Sequence, residues 1–217
     1  MNRLILKHGR LVTFVILAIF AWFIYRQFIV AKSPFFPFAI VTLAVWVVGT
    51  VVFVYFWPAI TCTGYKRAIL QHGLGGGPIP VNTLYAVPNL SSPSAPGSSL
   101  MATGANELLY FGGWLDLSKG PLMLHVPDFS GRYYSIQFTD PTDGANFAYV
   151  GKRTTGTQAG DYLISGPGWA GSVAQGLKQI SSPHHSVLVI GRALVLSDKD
   201  VEAAYALTQQ VQVVPLS

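Results

Sequence analysis

Hydrophobic positions along this chain fall into two regimes, with the break near residue 60. Ahead of it, Leu11 to Val30 is an apolar run interrupted only by Arg26 and Gln27, and Pro37 to Trp57 carries no ionisable side chain. A hydrocarbon core about 30 Å thick is crossed by roughly 20 helical residues, so both runs are long enough to span it. Lys32, Ser33 and Pro34, in the connection from Ala31 to Phe36, suit a turn. The pattern predicts a transmembrane hairpin over residues 1–59, with spans at about 11–30 and 37–57. Trp22, Tyr25, Tyr55 and Trp57 fall near the span ends, where aromatic belts form. A cleaved signal peptide shares the basic start, but this run is long for one and no small-x-small site follows it.

Beyond the break, residues 60–104 read as a connector. Gly73-Leu-Gly-Gly-Gly-Pro78 and the Ser/Pro-rich stretch Ser91 to Ser99 are loop compositions, with one short strand expected between them over Val81–Val87. From 105 to 217 the texture becomes alternating. Tyr133, Ser135, Gln137 and Thr139 point to one face, and Tyr134, Ile136 and Phe138 to the other. Similar short runs start at Leu108, Pro121, Asn146, Asp161 and His185, separated by Gly, Pro and Asp turns. Strands at such spacing predict a mainly β, sandwich-like soluble domain. One helix is expected, near Val201 to Leu207, with Ser197 as N-cap and Asp198, Asp200 and Glu202 favouring its positive start.

Charge sharpens the division. Residues 1–59 hold five Lys or Arg and no acid, and residues 60–217 hold nine of each sign. The net charge of +5 therefore belongs to the membrane segment, and no basic stripe suggests nucleic acid. The positive-inside rule sets Arg3, Lys7, Arg10, Lys66 and Arg67 against Arg26 and Lys32, which favours the cytoplasm for both ends. A single cysteine, Cys62, forms no internal disulfide and has no activating neighbour in sequence.

Chemistry is sparsely marked. His184 and His185 are adjacent and would face opposite ways on a strand, and no zinc spacing or Gly-x-Ser-x-Gly elbow occurs, so neither a metal nor a cofactor is expected. Asp128, Asp140, Asp143 and Asp161 sit at strand ends, where Asx turns account for them. The polar cluster Lys152-Arg-Thr-Thr-Gly-Thr157 followed by Asp161 leaves two readings. In one, Arg153, Thr154 and Thr155 contact an anion or a carbohydrate. In the other, Arg153 pairs with Asp161 or Asp140 and pins a loop to the sheet. Tyr110, Trp114, Tyr133, Tyr134, Tyr149, Tyr162 and Trp169 either fill the core or line a groove.

Several of these segments carry a resemblance. Trp114-Leu-Asp-Leu-Ser118, Val126-Pro-Asp128, Gly131-Arg-Tyr-Tyr134, Asn146-Phe-Ala-Tyr-Val-Gly151, Arg153-Thr-Thr-Gly-Thr157, Ala159-Gly-Asp-Tyr162 and Gly166-Pro-Gly-Trp169 resemble, in order and spacing, the domain of unknown function 1254. Gly191-Arg192 fits as well, and the likeness runs from about Leu108 to Leu216. It implies a β-sandwich-like domain, often exported, and a frequent companion of the 1214 type. Asn106, Tyr110 and Asn146 fall in its motifs and join Arg153, Thr154, Thr155 and Asp161 as candidate ligand or partner contacts. Where relatives read Asn-x-Asp-Thr-Leu-Tyr, this chain has Asn106-Glu-Leu-Leu-Tyr110 and lacks the Thr.

The expected protein is thus an integral one of a bacterial inner membrane, with the cytoplasm favoured over the periplasm for its soluble domain. Its expected role is that of a non-catalytic interaction or assembly module. Its partners would be the bilayer and a separate polypeptide carrying a 1214-type domain. The alternative is a membrane-tethered enzyme acting on envelope carbohydrate. Catalytic residues are not assigned.

Overall fold

The computed structural model describes residues 18–26, 35–91 and 105–216. The chain divides into two compact units, Met1–Trp57 and Pro58–Ser217. Residues 18–25 are helical, and most of the first expected span lies outside the described residues. Helix α1 runs from Phe35 to His72. Up to Ile60 it carries no charged side chain on any face, and Val45, Trp46, Val51 and Tyr55 are exposed, as would suit a helix facing lipid. Among the described residues it is the one helix long and apolar enough to cross a membrane, over Ala39–His72.

Of the expected two-span hairpin, one such helix is therefore seen among the described residues, and residues 1–17 and 27–34, which hold most of the first expected span and the start of the turn, lie outside them. Phe35 and Phe36, expected in the turn, already belong to α1, and it does not stop at Trp57. Pro58 removes one backbone donor, but Ala59, Lys66, Ala68 and Leu70 favour helix and carry it through the expected connector. It ends where Gly73 takes φ +67° and its N–H caps the Ile69 carbonyl at 3.0 Å.

The second unit holds two sheets. In the first, strands β1 (Tyr85–Ala86), β2 (Leu108–Asp116), β8 (Ser186–Leu194), β4 (Tyr134–Thr139) and β5 (Asn146–Gly151) lie side by side in that order, all antiparallel. In the second the order is β7 (Lys178–Ser181), β6 (Gly160–Ser165), β3 (Leu122–Val126) and β9 (Gln212–Pro215), with only β6 and β7 parallel. The sheets share one apolar core, as a sandwich requires. Phe111, Tyr134, Ile136, Phe138, Val187 and Val189 enter it from the first sheet, and Leu122, Leu124, Tyr162 and Ile164 from the second. Alternation on β4 falls as expected, with Tyr134, Ile136 and Phe138 fully buried. β8 alternates over its whole length, and the space left by Gly191 is filled by the Phe111 ring, 2.1 Å from where a Cβ would stand. Neither β7 nor β9 was anticipated. Only Ile180 of β7 is buried and none of β9, so edge pairing rather than an apolar period makes them strands.

Both ends of the first sheet are braced. Trp114 and Leu188 pack with Ile69, Leu74 and Ile79, and the Trp114 indole donates to Ser186 Oγ at 2.7 Å. At the other end a 3-10 turn (Asp198–Asp200) leads into α2 (Val201–Gln209), whose Ala204 packs on Leu109 and Val195. The expected Ser197 cap makes no side-chain hydrogen bond. Asp200 holds this entry instead. Its carboxylate accepts the Leu196 N–H at 2.9 Å and a bidentate pair from Arg132 at 2.5 and 2.7 Å, while Arg132 also donates to the Leu194 carbonyl at 2.7 Å. A fork matched to a carboxylate outcompetes a single hydroxyl acceptor.

Candidate functional site

Strand register builds a polar row on the outer face of the first sheet. Tyr110 lies opposite Arg192, Arg192 opposite Ser135, and Ser135 opposite Gly151. The next row places Ile190 opposite Gln137 and Gln137 opposite Tyr149. Between them a groove of about 260 Å3 opens outward, lined by Tyr133, Ser135, Gln137, Tyr149, Gly151, Arg153, Thr154 and Arg192. Gly151 is required at its floor, since a Cβ there would stand 2.4 Å from the Tyr134 carbonyl oxygen.

The turn after β5 presents Arg153. The N–H groups of Thr154 and Thr155 both donate to the Gly151 carbonyl, at 3.0 and 2.8 Å. Thr155 Oγ1 accepts the Gly151 N–H at 3.0 Å, and Thr154 Oγ1 donates to the Tyr149 carbonyl at 3.1 Å. Lys152 Nζ is tied to the Gly131 carbonyl at 2.6 Å. With the turn closed by its own threonines, Arg153 projects outward and its guanidinium lies 5.5 Å from the Tyr133 ring centre. Among the described residues, neither Arg153 nor Arg192 takes part in an ion pair. No acid lines the groove. Two cations thus share a concave surface with tyrosines, a serine, an amide and a threonine, which suits the capture of an anion.

The pairing of Arg153 with Asp161 or Asp140 does not occur. Arg153 follows β5 in the first sheet, while Asp161 lies on β6 in the second and bonds His125 Nδ1 across the strand pair at 2.7 Å. Asp140 bonds His184 Nδ1 at 2.5 Å. Arg153 and Thr154 therefore belong to the groove, Thr155 supports its turn, and Asp161 is elsewhere. Tyr110 is buried, its hydroxyl accepting the Ala105 N–H at 2.9 Å. Asn106 is exposed ahead of β2, and Asn146 accepts from Thr139 Oγ1 at 2.7 Å at the start of β5. Of the aromatic set, Tyr133, Tyr149 and the otherwise buried Tyr134 line the groove, while Tyr110, Trp114 and Tyr162 are buried. Arg192, Ser135 and Gln137 were not anticipated as site residues. Their outward positions follow from alternation, but their meeting needs the pairing of strands distant in sequence.

The remaining titratable groups explain themselves structurally. Asp128, Asp140 and Asp143 accept the N–H two residues on, at 2.7 to 2.8 Å, as Asx turns do, and Asp116 does the same for Ser118 at 2.9 Å. Burial would raise the Asp140 carboxyl, but hydrogen bonds from Thr142 and His184 together outweigh it and hold it below its ordinary range. Hydrogen bonds from Ser118 likewise lower Asp116. Burial raises the Tyr134 phenol, whose ring stacks on Phe129 at 4.1 Å. His125 is exposed on β3. His184 and His185 precede β8 in a loop, and no cluster of three metal-ligating side chains occurs among the described residues.

The sequence profile of DUF1254, a family of proteins of unknown function, matches residues 81–215. The chain belongs to the DUF1254 family. The match takes in β1, which pairs with β2 in the first sheet. Among solved structures, the VPA0106 protein from Vibrio parahaemolyticus is similar, with 23% identity and a TM-score of 0.57, over 75% of this chain and 37% of that one. This chain thus spans little more than a third of that relative's length. An uncharacterised protein from Burkholderia cenocepacia matches with 11% identity and a TM-score of 0.39, over 62% of this chain and 35% of its own. No curated protein matches.

Proposed function

We propose that this DUF1254 protein is a membrane-tethered, non-catalytic binding module that captures an anion-bearing ligand in the groove of its first sheet. The observation that carries the reading is the pairing of Arg153 and Arg192 on one concave surface with no acid among its lining residues. Each charge-assisted hydrogen bond from such a fork is worth about 1.5–3 kcal/mol. The repulsion between two neighbouring cations is relieved when an anion binds. Tethering rests on the apolar length of α1, and the count of flanking cations supports an inner-membrane protein with its domain in the cytoplasm. The tethered-hydrolase alternative needs a base beside a nucleophile or a pair of acids. Ser135 in this groove has neither an imidazole nor a carboxylate among its lining neighbours.

The test is ligand-induced stabilisation of the full chain in mild detergent. A ligand at 100 times its Kd adds about 2.7 kcal/mol. Pyrophosphate, citrate or an oligouronate should therefore raise the Tm, and Arg192→Gln should remove the rise. If no polyanion shifts the parent's melt, the reading fails.

A second reading concerns β9, an end strand of the second sheet. Val214 on it and Leu216 just after it are 46% and 39% exposed, and among the described residues no strand pairs with its outer edge, which would suit a docking chain. Its proposed occupant is a partner polypeptide carrying a 1214-type domain. Val214→Lys should abolish binding of such a purified partner; unchanged binding would discard the idea.

A further inference from the structure

We infer that the ligand of this groove is an acidic carbohydrate, an oligomer of sugar acids held through two carboxylates, a specification that rests on the anion-binding reading above. The first argument is the balance of donors and acceptors. Arg153 and Arg192 are pure donors and suit carboxylate or phosphate alike. The rest of the lining is different. Gln137 Nε2 spends one of its two N–H groups on Thr139 Oγ1 at 3.1 Å, which fixes the amide with its carbonyl oxygen still able to accept. Thr154 spends its hydroxyl proton on a backbone carbonyl and keeps its lone pairs. Ser135 Oγ has no hydrogen bond among the described residues and works both ways. A phosphate offers chiefly acceptors and would leave these oxygens facing it unmatched. A polyhydroxylated carboxylate supplies both halves: carboxylates for the forks and hydroxyl donors for the oxygens between.

The second argument is spacing. β8, which carries Arg192, and β5, which leads into Arg153, flank β4 on either side. Strands two steps apart are separated by about 10 Å. Two arginines carried by strands so spaced can each meet one of two acidic groups along an oligomer lying across the sheet. The third argument is the flanking rings. Arg153 already covers Tyr133. Tyr149 is 45% exposed beside the groove and, among the described residues, stacks on no ring or cation. Such an amphipathic ring offers an apolar face for the C–H side of a sugar and a hydroxyl for its edge. The groove's open outer side suits a chain lying across the sheet rather than an enclosed small molecule.

Calorimetric titration of the full chain in mild detergent with four probes tests this: a galacturonic acid trimer, a neutral glucose trimer, inorganic phosphate and a triglutamate peptide. The galacturonate trimer should bind at least tenfold more tightly than each of the others. Arg153→Gln, Arg192→Gln and Tyr149→Ala should each weaken it tenfold or more. Arg153 and Tyr149 are exposed, so their variants keep the parent's melting temperature and the loss is one of binding. Phosphate or triglutamate binding as tightly as the trimer, still dependent on Arg192, overturns the carbohydrate assignment and leaves the anion site standing. Equal binding of the neutral trimer also overturns it. No binding of any anion, or trimer binding indifferent to both arginines, overturns the assignment and the anion-binding reading together.

Discussion

Replacing Asp200 by Asn measures how the α2 end of the domain is held. In the parent, Arg132 Nη2 donates to Asp200 Oδ1 at 2.7 Å, Nη1 donates to Oδ2 at 2.5 Å, and the Leu196 N–H adds a third bond at 2.9 Å. The Arg132 and Asp200 side chains are only 12% and 19% exposed, so water replaces little of what is lost. These donors, the guanidinium first, bring the carboxyl from 3.8 down to about 2. At roughly 1.36 kcal/mol per unit this corresponds to about 2.4 kcal/mol. Solvent screening at the partly open edge brings the expected net to about 1.5–2 kcal/mol. Asn keeps the shape and one acceptor but leaves the guanidinium without its counter-charge. For a unit of this size, Asp200→Asn should lower the Tm by about 3–8 °C at pH 7.

The pH dependence adds a second condition. A carboxyl whose folded-state pKa lies below its unfolded value stabilises fully above the unfolded pKa and loses that contribution as pH falls through the folded one. The gap between parent and variant should therefore be constant from neutral pH to about pH 5, fall to roughly half at pH 3 and nearly close at pH 2. Asp140 is also held low and weakens in the same direction, but it is present in both proteins and cancels in the difference. Differential scanning fluorimetry in mild detergent at pH 7, 5 and 3 reads both conditions. A variant that melts with the parent at pH 7, or a gap that stays unchanged at pH 3, refutes the reasoning.

Three further outcomes follow from the packing. Phe129→Ala removes a ring 1% exposed and stacked on Tyr134 at 4.1 Å; urea titration should show a loss of about 3–5 kcal/mol. Gly151→Ala places a methyl 2.4 Å from the Tyr134 carbonyl oxygen and 2.8 Å from the Ser135 Cα. Separating β4 from β5 to admit it should cost about 1–3 kcal/mol, seen as a lower melt and a weakened response to polyanions. Arg153→Ala should leave stability within about 0.5 kcal/mol, because the side chain is exposed and unpaired by any acid among the described residues, while abolishing the polyanion response. A large drop in its melt would restore the buried pairing that the sequence suggested.

The sequence by itself determined what depends on local period and composition. The apolar run from Pro37 to Trp57 carries no ionisable side chain and is long enough to be a single helix, whose backbone satisfies its own hydrogen bonds. β4 turns the expected residues inward because side chains alternate strictly along a strand. The turns at Asp128, Asp140 and Asp143 form because a short carboxylate reaches the N–H two residues on, an interaction wholly local. The cluster at Arg153 was legible as polar and odd for the same reason. Where a second element decides, the sequence was silent or misleading. Nothing before Trp57 says that α1 persists to His72. β7 and β9 have almost no buried period of their own and exist because β6 and β3 offer them free edges. Asp161 stands eight positions after Arg153 in the chain, yet the two belong to different sheets, and His125 takes the carboxylate across a strand pair. Arg192 reaches the groove only because β8 lies between β2 and β4, which places it opposite Ser135, a residue far from it in sequence. A guanidinium's partner is set by proximity in space, and proximity between distant residues is fixed by strand order and register, which side-chain period alone does not encode.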